Sequence, residues 1–170
     1  ITDELAIEAI TLTGTSLVQA TQDGSDVMAR SQVAYGSLLS GMAFGNAGLG
    51  AVHALAHPIG ALSGAAHGKI CALLLPYVME YNLTVCPDKF AAVAAALANA
   101  PDKSQIPAAA VDAVKQLLAE LSLPTRLAQL NITDKDFHEI TQAALPANSL
   151  KYNPKEAGYE DLLSILEQAA

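Results

Sequence analysis

Apolar residues recur along this chain at spacings of three and four, and strict alternation is nearly absent, so the sequence predicts helices and almost no strands. Thr2 is placed to cap a first helix whose opening turn carries Asp3 and Glu4. Leu5, Ile7, Ile10, Leu17 and Val18 supply its apolar positions before the Asp23-Gly24-Ser25 turn. A second helix is expected from about Asp26 to Asn46, and the three glycines inside it, Gly36, Gly41 and Gly45, allow close backbone approach. Gly45-Asn46-Ala47-Gly48-Leu49-Gly50 reads as a connection that launches a helix bearing His53 and His57. No strand precedes it, and its glycine spacing fits neither common phosphate-binding fingerprint.

A fourth helix is expected from near His67 to Asn82, with the nearly uncharged stretch Ile70 to Met79 in the core. Cys86-Pro87-Asp88 opens an alanine-rich helix through about Ala98, since proline is favoured in a first turn. The next is expected from about Pro107 to Leu121, before the Leu123-Pro124-Thr125 break. Thr133 caps a helix to about Ala144, with Asp136 where a capping box carries Glu. After Asn153-Pro154, Tyr159, Leu162, Leu163 and Leu166 mark a last amphipathic helix. The pattern is that of an all-α multi-helix bundle of about eight helices. With no internal repeat or linker, residues 1–170 read as one domain.

Composition narrows the function classes. An apolar share of 52% with mean hydropathy +0.31 is high for a soluble domain, so part of the surface is expected to be covered by another domain or subunit. The net charge of −8, with Lys and Arg scattered, argues against nucleic acid as a partner. The stretch Ile70 to Met79 contains Pro76 and falls short of the ~20 residues of a membrane span, so no membrane partner is expected. Cys71 and Cys86 form no CxxC pair and no secretory signal stands before them. They read as free thiols in a reducing cytoplasm, with a disulfide as the alternative.

The candidate chemistry is concentrated in Gly50-Ala51-Val52-His53-Ala54-Leu55-Ala56-His57-Pro58 and His67, which hold three of the four histidines. On a helix, His53 and His57 share one face, and Pro58 and Gly60 are expected to force a turn that returns His67 to them. Neutral imidazoles are good ligands for Fe, Zn and Ni, so a metal site with a neighbouring proton-transfer histidine is one reading. Core or helix-surface histidines satisfied by backbone carbonyls are the other. A zincin needs Glu after the first histidine and Ala54 stands there. Di-iron bundles need Glu-x-x-His pairs, which are absent.

The run from Ala34 to Pro58, with His67-Gly68 and Leu74-Leu75-Pro76-Tyr77-Val78-Met79-Glu80-Tyr81-Asn82, resembles the iron-containing (group III) alcohol dehydrogenase family. Ile1-Thr2-Asp3, Leu123-Pro124-Thr125-Arg126-Leu127 and the Asn153-Pro154 segment extend the resemblance over essentially the whole chain. It implies the C-terminal, metal-binding helical domain of a dehydroquinate synthase-like fold, partnered by an N-terminal nucleotide-binding domain. The metal in such proteins is Fe(2+), sometimes Zn(2+), held between the domains by one Asp and three His. By position, His53 and His67 are similar to two of those ligands and His57 to the non-ligand catalytic histidine. The implied reaction is hydride transfer between a small alcohol or aldehyde and NAD(P).

Two departures from the family bear on activity. No βαβ unit or phosphate loop occurs in these residues, and the Asp-x-x-x-His ligand pair, which precedes Ile-Thr-Asp in the family, is absent from them. Asp134 and His138 share that spacing, but their charged surroundings read as a solvated helix start. With two histidine ligands, the isolated chain is expected to bind metal weakly or not at all and to be inactive. Phe44, just before the metal helix, is a candidate for the substrate pocket, with core packing the alternative. An apolar surface near His53, His57 and Phe44 is expected to be exposed and to favour a homo-oligomer. A catalytically silent packing module derived from the family is the competing function.

Overall fold

The computed structural model describes residues 1–98 and 106–170, and the helices group into two compact units. Each unit is built from two separate stretches of chain, residues 1–48 with 86–121 and residues 49–85 with 122–170, so no linker in the sequence marks the division. No strand occurs among the described residues.

The first unit contains α1 (Thr2–Gln22), α2 (Val27–Ala47), α5 (Pro87–Ala98) and α6 (Ala109–Glu120). Asp26 ends the turn after α1 and starts α2 by accepting a hydrogen bond from the Ala29 backbone N–H at 2.9 Å. The two long helices run antiparallel: Ser16 Oγ donates to Gln32 Oε1 at 2.6 Å, and Gly36 crosses over Thr13 and Ala9. A Cβ at Gly36 would stand 2.9 Å from Thr13 Cγ2 and 3.1 Å from the Ala9 carbonyl, so this crossing requires glycine. Thr2 does not cap α1. It is the first helical residue and Ile1 holds the cap position, without a side-chain hydrogen bond. Gly45, Asn46 and Ala47 belong to α2, which leaves Gly48-Leu49-Gly50 as the connection.

The second unit contains α3 (Ala51–Ser63), α4 (His67–Asn82), α7 (Asp134–Ala144) and α8 (Tyr159–Gln168), with 3-10 turns at Leu127–Leu130 and Asn148–Tyr152. Leu55, Ile59, Ile70, Leu73, Leu74, Leu127, Ile140, Leu162, Ile165 and Leu166 are fully buried and form its core. The i, i+3, i+4 spacing of the α4 members sets Ile70, Leu73 and Leu74 against the α3 face bearing Leu55 and Ile59. Thr133 starts α7 as expected: its backbone N–H and its hydroxyl both donate to Asp136 Oδ2, at 2.7 and 3.0 Å.

The expected break at Pro58 and Gly60 does not occur, and both residues lie inside α3. A helix-interior proline costs about 3 kcal/mol, chiefly the lost bond to the carbonyl four residues back. Full burial of Leu55 and Ile59 on either side is worth about 1.5–3 kcal/mol each, which offsets it. The chain turns instead at Gly64, whose φ of +67° is open to glycine and strained for other residues. The Gly64 N–H caps α3 on the Gly60 carbonyl at 3.0 Å.

Candidate metal centre

α3 starts where a buried carboxamide fixes it. Asn153 Oδ1 accepts from the Ala51 N–H at 3.1 Å and from Asn82 Nδ2 at 3.2 Å. Asn153 Nδ2 donates to Asn82 Oδ1 at 2.8 Å and to the Lys155 carbonyl at 2.6 Å. Both lone pairs and both amide hydrogens are therefore used, and the first turn of α3 is tied to the last residue of α4. A Cβ at Gly50 would stand 2.8 Å from that same Oδ1, so glycine is required for the amide to reach the helix end.

From that anchored start, His53 and His57 stand one turn apart on α3, and His67 is the first residue of α4 after the Gly64-Ala65-Ala66 connection. The structure brings all three together. The His53 and His67 rings lie 5.2 Å apart between centroids, tilted by 56°, and His57 stacks on His67 at 5.5 Å and 21°. His53 is half-buried, while His57 and His67 are exposed. Cys71, one turn into α4, joins them with its Sγ 3.4 Å from His67 Nε2. One donor atom each from His53, His67 and Cys71 lies within 4.8 Å of the other two, and His57 stands beside this trio.

Burial lowers the pKa of His53 below 6.5, and the neighbouring His67 and His57 act in the same direction. The neutral imidazole, the form that binds metal, is thereby favoured. Burial pushes the Cys71 thiol up from 9.0, so without a cation it stays protonated. Two nitrogens and one sulfur are a donor set suited to a borderline divalent cation such as Zn(2+), and the imidazoles also suit Fe(2+).

The other candidates fall elsewhere. Asp134 and His138 stand in the first turns of α7, where His138 Nδ1 is hydrogen-bonded to the Tyr159 hydroxyl, outside the trio. Phe44 belongs to α2 in the first unit and is 47% exposed, which removes the core-packing alternative. Neither Cys71 nor Cys86 is in a disulfide. The sequence carries a signal for this proximity, since His67 and Cys71 are four apart on one helix, the same spacing that joins His53 to His57.

Over residues 1–170 the chain matches the Fe-containing alcohol dehydrogenase family, C-terminal. It is 40% identical over 172 residues to a 1,3-propanediol dehydrogenase of Citrobacter freundii, covering 99% of this chain and 44% of that protein. It is 39% identical over 168 residues to a probable alcohol dehydrogenase of Escherichia coli, covering 99% of this chain and 42% of the relative. The crystal structure of a 1,3-propanediol oxidoreductase superposes with a TM-score of 0.94 at 38% identity, over 99% of this chain and 45% of that one. The chain thus spans less than half the length of the relatives it matches.

Proposed function

This chain belongs to the Fe-containing alcohol dehydrogenase family, and we propose that residues 1–170 act as the metal-bearing helical half of an NAD(P)-dependent enzyme interconverting small alcohols and aldehydes. The observation that carries the reading is the convergence of the His53, His57 and His67 rings. His53 and His67 are the residues that hold the cation, each through a neutral imidazole nitrogen. Fe(2+) or Zn(2+) held there would supply Lewis-acid chemistry towards an alcohol oxygen, and a nicotinamide held by a nucleotide-binding domain would supply the redox chemistry. His57, exposed and outside the donor trio, takes the hydroxyl proton and passes it to water. Self-association into a homo-oligomer belongs to the same reading and is measured by sedimentation velocity.

The test is NAD(P)H formation from short alcohols in the presence of Fe(II). The 170 residues alone are expected to give none, because hydride transfer needs the nicotinamide held about 3–3.5 Å from the substrate carbon and the described residues contain no strand from which a dinucleotide fold is built. Together with a nucleotide-binding domain of the family, turnover is expected. His53→Ala and His67→Ala abolish it, and His57→Asn lowers kcat by about 10²–10⁴-fold with metal content unchanged. A properly folded mixture that binds both metal and cofactor but turns nothing over would favour the silent packing module.

A further inference from the structure

We propose that Cys71 is a third protein ligand of the same metal, making the centre within this chain a His53, His67, Cys71 site that prefers zinc-like cations to iron. The inference rests on the reading of His53 and His67 as metal ligands and extends it to a residue which that reading does not use.

Geometry carries it. His67 and Cys71 project from one face of α4 one turn apart, and Cys71 Sγ lies 3.4 Å from His67 Nε2. Around a tetrahedral ion with metal–nitrogen bonds of about 2.0–2.1 Å and metal–sulfur bonds of about 2.3 Å, a ligating nitrogen and sulfur stand about 3.5 Å apart. The observed separation is therefore already that of two neighbouring ligands. His53 offers the third corner, since its donor atom lies within 4.8 Å of both, and a change of side-chain rotamer closes the remaining gap. On binding, the Sγ–H bond breaks, its proton leaves to solvent and the sulfur–metal bond forms, with no change of oxidation state. A coordinated divalent cation is sufficient to deprotonate a thiol held protonated by burial.

Two consequences distinguish this site from one of two histidines. Three protein ligands are the complement found in catalytic zinc sites, which reserve a further position for water or substrate. The affinity of these residues for metal is accordingly higher than two imidazoles give. A thiolate is also a soft donor, which favours Zn(2+) and Co(2+) over Fe(2+) at a given geometry.

Co(II) is the probe, titrated into metal-stripped protein in a Cys86→Ser background, so that Cys71 is the remaining thiol of this chain. The expected result is a near-ultraviolet thiolate-to-cobalt charge-transfer band together with visible bands of tetrahedral Co(II). Cys71→Ser should remove the near-ultraviolet band and weaken Co(II) binding at least tenfold. Cys71→His should restore affinity without that band, which guards against loss of folding in the serine variant. Zn(II) should displace Co(II) and protect Cys71 from alkylation. Co(II) bound with visible bands that vanish in His53→Ala, but with no thiolate band and no effect of Cys71→Ser, overturns the sulfur ligand and leaves the histidine site standing. That outcome makes the 3.4 Å contact a thiol–imidazole hydrogen bond. No Co(II) bound by these 170 residues overturns the three-ligand site, and leaves standing the two-histidine reading, which expects weak or no metal here.

Discussion

Replacing Asn153 by Ala should loosen the centre without touching a histidine. Its amide makes four hydrogen bonds, two to Asn82 and one each to the Ala51 N–H and the Lys155 carbonyl. At about 0.5–1.5 kcal/mol apiece these are worth roughly 2–6 kcal/mol, and the Ala51 N–H is left in a fully buried position. Water entering the vacated space relieves part of this, so a loss of about 2–4 kcal/mol is expected. Against a typical domain stability of 5–15 kcal/mol that is a large fraction. Urea unfolding of the metal-free protein reads it as a fall in midpoint at constant slope. Because the lost bonds tie the start of α3 to the end of α4, metal affinity should fall as well, although Asn153 is no ligand. A loss of stability below about 1 kcal/mol, or unchanged metal affinity in a destabilised variant, would refute the idea that this amide positions the histidine helix.

Gly64→Ala forces a side chain into φ +67° at the turn between α3 and α4, and a loss of about 1–2 kcal/mol is expected in the same unfolding assay. An unchanged midpoint would mean that the turn relaxes without strain. Asp136 is held below 3.8 by the Thr133 backbone N–H and then by the Thr133 hydroxyl. Because the folded value is depressed, its contribution to stability is complete above about pH 3.8 and disappears as pH falls through the folded value. An NMR titration of the folded protein should place its midpoint under 3.8, and Asp136→Asn should flatten that part of the acid limb. A midpoint at or above 3.8 contradicts the cap.

Helix positions were legible where local chemistry sets them. Asp26 before α2, Pro87 at the start of α5 and Thr133 with Asp136 before α7 act through bonds or steric rules that span a few residues. Pro58 misled because its local cost is set against burial of Leu55 and Ile59 in a core that the sequence pattern does not price. Asn153 marked a turn, but its role depends on partners 71 and 102 residues away in sequence, and no periodicity carries that information. The histidine cluster was legible as a motif. Cys71 carried less signal, because a lone thiol among apolar residues is most often an ordinary core side chain, whereas the first turn of α4 leaves its sulfur beside His67. The division into two units was invisible for a plainer reason: each is assembled from distant stretches, with no linker between them.

Crystals of the protein loaded with Zn(II), measured on both sides of the zinc absorption edge, test most directly whether His53 and His67 hold the metal. A single anomalous peak within about 2.0–2.1 Å of a nitrogen of each imidazole is the predicted result. A loaded crystal with no peak between these two rings, or with its peak on other residues, would contradict it.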